Sequence, residues 1–142
     1  MTFFVDANVI VYAATEGEYR RPCLDVLDAI ARGLTDGRTS PAVLKEVWYV
    51  ERSGRAGPLD GLTANAYTVF TPLLAVTDDA FRLALALRAP QLGPADRVHA
   101  GTCLAHGVAV VVSADVAFDG VRGVRRVDPL DGRALGRLLS AG

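Results

Sequence analysis

The sequence predicts an α/β fold with a mainly parallel sheet. Apolar β-like runs alternate with segments whose apolar residues recur at helical spacing. Two of the β-like runs end in an aspartate, Asp6 in VDANVI and Asp115 in VVVSAD. In such sheets, sites form beyond the carboxyl ends of the strands, near a topological switch point. The same pattern therefore predicts the fold and the edge of the sheet where a site would form.

The N-terminal half is predicted to contain one strand and four helices. Thr2 to Val5 is a buried strand, and a short helix follows from Asp6 to Ala14. An amphipathic helix runs from about Glu18 to Leu34, supported by two arginine–aspartate pairs four residues apart. Asp36 precedes a glycine and is assigned to a turn. Ser40 and Pro41 begin a helix to about Ser53, and after a Gly/Pro loop a further helix covers Leu59 to Phe70.

The C-terminal half continues the alternation. Pro72 permits only a short strand at Leu73 to Val76, and Thr77 caps a helix from Asp78 to Ala89. Gly93 and Pro94 open a helix that ends near Gly107. The remaining elements are a strand at Val108–Ser113, a turn or short helix through Gly120, a strand at Val124–Val127, and a helix to about Leu139 capped by Asp131.

The composition fits one globular domain spanning residues 1–142. Hydrophobic residues make up 51% of the chain and charged residues 22%, and no segment is polar enough to predict disorder. The net charge is −1, yet of the 15 basic residues only Lys45 is a lysine. Arginine binds phosphate bidentately, which leaves a local basic rim for nucleic acid open, although coding bias is the favoured explanation.

Neither a disulfide nor membrane insertion is expected. Cys23 and Cys103 stand far apart without metal-ligand spacing, so both should be free, buried and reduced. Asp6 and Asn8 interrupt the apolar N-terminus, and no stretch approaches the ~18 apolar residues of a membrane helix. The expected location is the cytoplasm.

Four acidic residues stand at strand ends or among apolar neighbours: Asp6, Glu46, Asp96 and Asp115. A buried carboxylate must be paired, hydrogen-bonded, protonated or bound to a metal. If the four converge, they form an all-oxygen site that suits Mg²⁺ or Mn²⁺. Structural alternatives exist, since Asp6 could cap a helix, Asp115 could form a turn, and Asp96 lies in a helix's first turn. Glu46, which lies mid-helix beside valines, is hardest to explain structurally.

Further residues are accessory candidates. Asp119 is either a turn former or a fifth site carboxylate, Ser113 could bond a metal-bound water, and Asn8 begins the first helix with Asp6. His99 could reach the site from the face of Asp96, but a buried structural histidine is favoured because no second ligand-spaced histidine accompanies it. Motifs of nucleotide-phosphate loops, dinucleotide folds, zinc proteases and serine hydrolases are absent.

Four segments carry a family resemblance: VDANVIVYA, SPAVLKEVWYV, PADRVHAGTCLAHGVAVVVSAD and FDGVRGVRRVDP. In this order and spacing the chain resembles the PIN domain family over nearly its whole length, most closely VapC-like ribonuclease toxins of bacterial toxin–antitoxin pairs. The resemblance implies a three-layer α/β/α sandwich, dependence on Mg²⁺ or Mn²⁺, and cleavage of RNA such as tRNA or rRNA. It also implies a homodimer bound by a small antitoxin.

The family's acidic quartet falls on the same four residues. We assign Asp6, Asp96 and Asp115 as metal ligands, directly or through water, and Glu46 as the group that orients the attacking water or binds a second cation. The resemblance implies 5′-phosphate and 3′-hydroxyl products. Phosphate contacts should come from arginines, for which Arg97, Arg122 and Arg52 are the candidates.

Two other functions compete with this interpretation. A non-catalytic PIN-like scaffold would bind RNA or protein without cutting, but four intact acidic positions argue against it. A phosphatase or phosphoacceptor domain would want an acidic pair beside the first aspartate and a late lysine, whereas Lys45 is the one lysine present. A nuclease for DNA or structured RNA stays open, with the loop from Gly54 to Gly61 shaping the choice.

Overall fold

The computed structural model describes residues 1–140 and contains one four-stranded sheet in the order β2-β1-β3-β4. Every strand pair is parallel. The strands are β1 (Thr2–Val5), β2 (Asp36–Arg38), β3 (Val110–Val112) and β4 (Arg125–Val127). This confirms the predicted α/β fold with a parallel central sheet.

Helices account for most of the described chain. They are α1 (Ala7–Ala13), α2 (Arg20–Ala31), α3 (Pro41–Ser53), α4 (Leu62–Phe70), α5 (Asp78–Ala86), α6 (Pro94–Ala105) and α7 (Gly132–Ser140), with a 3₁₀ helix at Val116–Gly120. The central strands are buried on both faces, since Phe3, Phe4 and Val5 of β1 and all of β3 have almost no exposed surface. Parallel sheets with two buried faces need helices on both sides, which gives the three-layer α/β/α arrangement.

Four of the predicted helix starts depend on local capping chemistry, and the structure confirms these four caps. The side chains of Asp6, Ser40 and Thr77 each accept a hydrogen bond from a backbone N–H of the helix that follows. Asp131 does the same for Ala134 of α7. Such caps are each worth about 1 kcal/mol, so these polar residues mark boundaries more firmly than the apolar pattern does.

Two local assignments were wrong. Leu73–Val76 forms no strand; Leu74 is buried against the core, and its N–H bonds only to the Thr39 carbonyl at 2.9 Å. The apolar character of this segment reflects the packing of a loop against the core and not pairing in a β-sheet. Conversely, Asp36 begins strand β2 and does not form a turn.

The second error has a packing explanation. In β2, Gly37 pairs with Phe3, and a Cβ at Gly37 would lie 2.3 Å from Ile30 Cδ1. The glycine is therefore present because α2 packs closely on the strand, which sequence patterns cannot show.

The topology determines where a site can form. Strand β1 lies between β2, which follows it in the chain, and β3, which comes more than 100 residues later. The chain thus changes direction across the sheet at β1 and β3, and the crevice beyond their carboxyl ends is the switch point. Asp6 directly follows β1, and Ser113 directly follows β3.

Among residues 1–140, none of the helices combines the length and the apolar character that a membrane-spanning helix needs.

Candidate metal centre

Asp6 lies at the centre of the site, and three hydrogen bonds hold its carboxylate. Its Oδ1 accepts a hydrogen bond from the Ala7 N–H at 2.8 Å. Its Oδ2 accepts one from Ser113 Oγ at 2.7 Å and one from Asn8 Nδ2 at 3.1 Å. The residue is 3% exposed, and burial raises the pKa of its carboxyl, although the charge of His99 and the bond from Ser113 oppose this. Asp6 is therefore fixed in position by its surroundings.

Ser113 and Asn8 join the ends of the two central strands. Asn8 Nδ2 also donates to Ser113 Oγ at 3.1 Å, and Asn8 Oδ1 accepts from the Ala114 N–H at 3.2 Å. Ser113 Oγ accepts from the Asp115 N–H at 3.0 Å. One hydrogen-bond network therefore holds both the side chain of Asp6 and the backbone of Asp115. Ser113 and Asn8, which were predicted as accessory residues, thus position two of the predicted metal ligands.

Glu46 reaches the site from α3 and meets His99 of α6. Glu46 Oε1 and His99 Nε2 are 2.5 Å apart, and the same nitrogen lies 4.0 Å from Asp6 Oδ1. One ligand atom each from Asp6, Glu46 and His99 lies within 4.8 Å of the others. The structure thus brings Glu46 into the site, together with a histidine for which the sequence favoured a purely structural role.

His99 is buried, at 1% exposure, and its Nδ1 has no hydrogen-bond partner among the described residues. Burial alone lowers the pKa of His99, but the hydrogen bond to Glu46 and the charges of Asp6, Glu46 and Asp96 raise it overall. The sequence feature that pointed to His99 as a site residue was its position three residues after Asp96. The contact with Glu46, 53 residues away in the chain, has no local signal.

Asp96 and Asp115 form the other side of the site. Asp96 lies in the first turn of α6, and Asp115 precedes the 3₁₀ helix, where its Oδ1 accepts from the Ala117 N–H at 2.9 Å. Burial, the charge of Asp6 and a hydrogen bond with Asp115 together raise the pKa of Asp96 to about 7. Burial is the largest of these causes, and the contributions of Asp6 and Asp115 mean that both carboxylates lie near Asp96.

Asp119 has a different partner. Its carboxylate receives hydrogen bonds from Arg126 Nε at 2.8 Å and Nη2 at 3.3 Å, which lower the pKa of Asp119. Arg126 also donates to the Ser113 carbonyl at 3.0 Å and to Asp128 at 3.1 Å. Arg126 therefore stabilises the end of β3 from outside the carboxylate cluster. The sequence alone did not identify this residue.

The three arginines predicted to contact RNA differ in their surroundings. The guanidinium of Arg97 donates to three backbone carbonyls, those of Leu87, Ala89 and Leu92. It therefore holds the connection before α6. Arg52 and Arg122 are exposed.

The donor set fits a hard divalent cation. Asp6, Glu46, Asp96 and Asp115 supply carboxylate oxygens, the ligand type that Mg²⁺ and Mn²⁺ prefer. Burial is the largest cause of the raised pKa of both Asp6 and Asp96, and repulsion from a neighbouring carboxylate, Glu46 for Asp6 and Asp6 for Asp96, adds to it. A divalent cation would relieve this repulsion, and it could hold a phosphodiester and a water together.

Comparison with known proteins gives the same fold. The PIN domain family model matches residues 3–124. Sequence comparison with curated proteins gives no significant match. Among solved structures, a chain of the Rickettsia felis VapBC2 complex, bound to a DNA fragment from its promoter, superimposes with a TM-score of 0.69 at 16% identity, over 90% of this chain and 98% of that one.

Two further solved structures are similar. The DNA-bound VapBC of Salmonella typhimurium gives a TM-score of 0.67 at 18% identity, covering 91% of this chain and 98% of that chain. FitAB bound to an IR36 DNA fragment gives 0.63 at 18% identity, covering 89% and 94%. At these identities the likeness establishes the shared fold.

Proposed function

The chain belongs to the PIN domain family, and from this premise we propose that it is a VapC-like toxin, a metal-dependent endoribonuclease restrained by a cognate antitoxin. The observation that carries the proposal is the meeting of Asp6, Glu46 and His99 at the switch point, where one ligand atom of each lies within 4.8 Å of the others. Burial and the charge of Asp6 raise the pKa of neighbouring Asp96 to about 7. Carboxylates clustered and partly buried in this way cost the fold stability, so their presence favours a functional site.

In this proposal Asp6, Asp96 and Asp115 hold Mg²⁺ or Mn²⁺, directly or through water. When bound, the cation supplies Lewis acidity and neutralises charge on the phosphodiester. Ser113 and Asn8 keep Asp6 Oδ2 oriented, so this ligand needs no rearrangement.

Glu46 is proposed to orient the attacking water. Its carboxylate is partly exposed, with 37% of the side-chain surface accessible, so one oxygen can face solvent while the other contacts His99. His99 fixes the orientation of Glu46 and acts as a positioning residue. The expected products carry 5′-phosphate and 3′-hydroxyl ends.

The proposed partners follow from the solved structures with the same fold. VapBC and FitAB are complexes, which supports a small antitoxin for this chain. We also propose a cytoplasmic homodimer, with sedimentation of the purified chain as its test. A monomer at all accessible concentrations would contradict this part of the proposal.

The activity is tested with purified protein and mixed total RNA in Mg²⁺, in Mn²⁺ and in EDTA. Asp6→Asn and Asp96→Asn should abolish cutting, whereas Asp78→Asn, an exposed first-turn aspartate on α5, should leave it intact. RNA binding without cutting in either metal would favour the non-catalytic scaffold. Cutting that survives in EDTA or in both site variants would refute the assignment.

A further inference from the structure

One face of helix α3 exposes two large aromatic side chains. Trp48 is 58% exposed and Tyr49 is 68% exposed. With four neighbours they line an open groove: Lys45, Arg52, Ser53 and Arg55. We call this set the α3 aromatic face. Adjacent exposed aromatics of this size are unusual on a surface that meets only water.

The α3 aromatic face is strongly basic. Its lining has three cationic side chains and no carboxylate, although the whole chain has a net charge of −1. Within residues 1–140, the side chains of Lys45, Arg52 and Arg55 form no salt bridge, whereas Arg20, Arg21, Arg32, Arg82 and Arg126 each pair with a carboxylate. The charge of this face is therefore available to a ligand.

One acidic side chain of the same helix, Glu51, is already hydrogen-bonded to the backbone of another helix. Glu51 accepts hydrogen bonds from the backbone N–H groups of Gly61 at 3.0 Å and Thr63 at 2.9 Å. Both groups belong to the start of α4, which attracts negative charge. The hydrogen bonds with Thr63 and Gly61, and to a lesser extent the charge of Arg52, lower the pKa of Glu51. Glu51 thus stabilises the start of α4, and among the described residues it forms no salt bridge with the cations of the α3 aromatic face.

The α3 aromatic face leads into the carboxylate site. A second groove, between α3 and α6, is lined by Lys45 and Tyr49 of this face and also by Glu46 and His99. A chain that lies across Tyr49 can therefore continue to Glu46. A ligand of the face and a substrate of the site can be the same molecule.

We propose that the α3 aromatic face binds unpaired RNA bases next to the scissile phosphate, an inference that rests on the proposed ribonuclease function. Aromatic side chains stack on any base, and nearby cations contact the phosphates, a combination typical of single-strand binding. Duplexed bases offer no free face for stacking, so the substrate segment is single-stranded. A symmetric contact between two copies of the chain would place the three cations against their own counterparts. This repulsion disfavours a second copy as the ligand of the face.

Trp48 is the single tryptophan of the chain, so its fluorescence reports on this face alone. The probe is an unstructured RNA of about 12 nucleotides, titrated in EDTA so that binding is read without cleavage. We expect saturable quenching of Trp48. Tyr49→Ala, read by quenching, and Trp48→Ala, read by anisotropy of labelled RNA, should each raise Kd about 5- to 150-fold. Phe81→Ala, which removes an exposed aromatic on α5, should not.

The basic residues are tested through the salt dependence. Removing two phosphate contacts with Arg52→Ala and Arg55→Ala should reduce the slope of log K against log salt by about 1.4. The matched pair Arg133→Ala and Arg137→Ala, on exposed positions of α7, should leave the slope unchanged. A duplex of the same sequence should compete more weakly than the single strand.

Several outcomes would overturn the inference. Unchanged Kd in both aromatic variants, or no change in Trp48 emission at saturation, would exclude stacking. Emission that shifts with protein concentration in the absence of RNA would identify the face as an interface between copies. The two proposals fail separately: quenching by RNA without metal-dependent cutting refutes the nuclease alone, and cutting with RNA bound elsewhere refutes the α3 aromatic face alone.

Discussion

Replacing Asp96 by asparagine should stabilise the metal-free protein while abolishing its activity. Burial, the charge of Asp6 and the hydrogen bond with Asp115 raise the pKa of Asp96 from an ordinary 3.8 to about 7. The ionised carboxylate is therefore unfavourable in the folded state at neutral pH. An asparagine keeps the shape of the side chain and removes the charge.

The size of the effect follows from the pKa. A rise from 3.8 to about 7 corresponds to about 4 kcal/mol. Asp96 is only partly buried, so solvent screening reduces this to about 1–2 kcal/mol. Asp96 also lies in the first turn of α6, and losing its interaction with the helix dipole costs about 0.5 kcal/mol. The net gain should be about 1 kcal/mol, or about 3–5 °C in Tm for a chain of this length.

The effect should depend on pH in a defined direction. Below pH 3.8 the carboxyl of Asp96 is protonated in both the folded and unfolded states, so it contributes no penalty. As pH rises towards 7 the unfolded chain ionises first, and the contribution of Asp96 to stability falls. The advantage of Asp96→Asn should therefore be small at pH 4 and full at pH 8.

The assay is thermal unfolding in EDTA, followed by circular dichroism at both pH values. Asp78→Asn is the matched control, because Asp78 is an exposed first-turn aspartate on α5. It loses the same dipole interaction without relieving repulsion, so its Tm should fall slightly. If Asp96→Asn is no more stable than wild type at pH 8, the carboxylates do not repel one another as described.

Three further predictions concern the metal, His99 and the packing of α6. Saturating Mg²⁺ should stabilise the wild type, by about 2.7 kcal/mol at 100 times Kd, and should not stabilise Asp6→Asn; Tm with and without EDTA measures this. His99→Ala should lower kcat about 10- to 100-fold with little change in KM, because Glu46 loses its hydrogen bond; His99→Gln should restore part of kcat. Gly101→Ala should cost about 1–3 kcal/mol in urea unfolding, since its Cβ would lie 2.2 Å from the Ala80 carbonyl oxygen.

Each of these has a result that contradicts it. Equal stabilisation of Asp6→Asn by Mg²⁺ would place the cation elsewhere. If His99→Ala raised KM alone, His99 would contact substrate and would not position Glu46. Gly136→Ala, at an exposed position of α7 where an added Cβ meets nothing within 4 Å, serves as the packing control and should be neutral or stabilising.

The sequence predicted the elements whose chemistry is local. Ser40 with Pro41, Thr77 and Asp131 mark helix starts through caps that each involve only a few residues. The acidic residues stood out because Asp6 and Glu46 had apolar neighbours, and burial of an unpaired carboxylate is costly. The parallel sheet followed from the alternation of strands and helices.

What the sequence could not predict depends on contacts between distant residues. The meeting of Glu46 and His99 requires the packing of α3 on α6. Strand β2 contains a glycine that α2 requires, so it resembled a turn. Arg97 looked available for phosphate, yet its guanidinium is bound by three carbonyls of the preceding connection. In each case the outcome depends on a residue distant in the chain, which the spacing of residues in the sequence does not identify.

The most direct test of the central claim is the position of a bound cation. Crystals grown with Mn²⁺ and measured at its absorption edge locate the ion by anomalous scattering. We predict a peak beyond the ends of β1 and β3, within ligand distance of Asp6, Asp96 or Asp115 or of waters that they hold. A site that stays empty at saturating Mn²⁺, or an ion bound only outside this crevice, would contradict the metal-dependent nuclease.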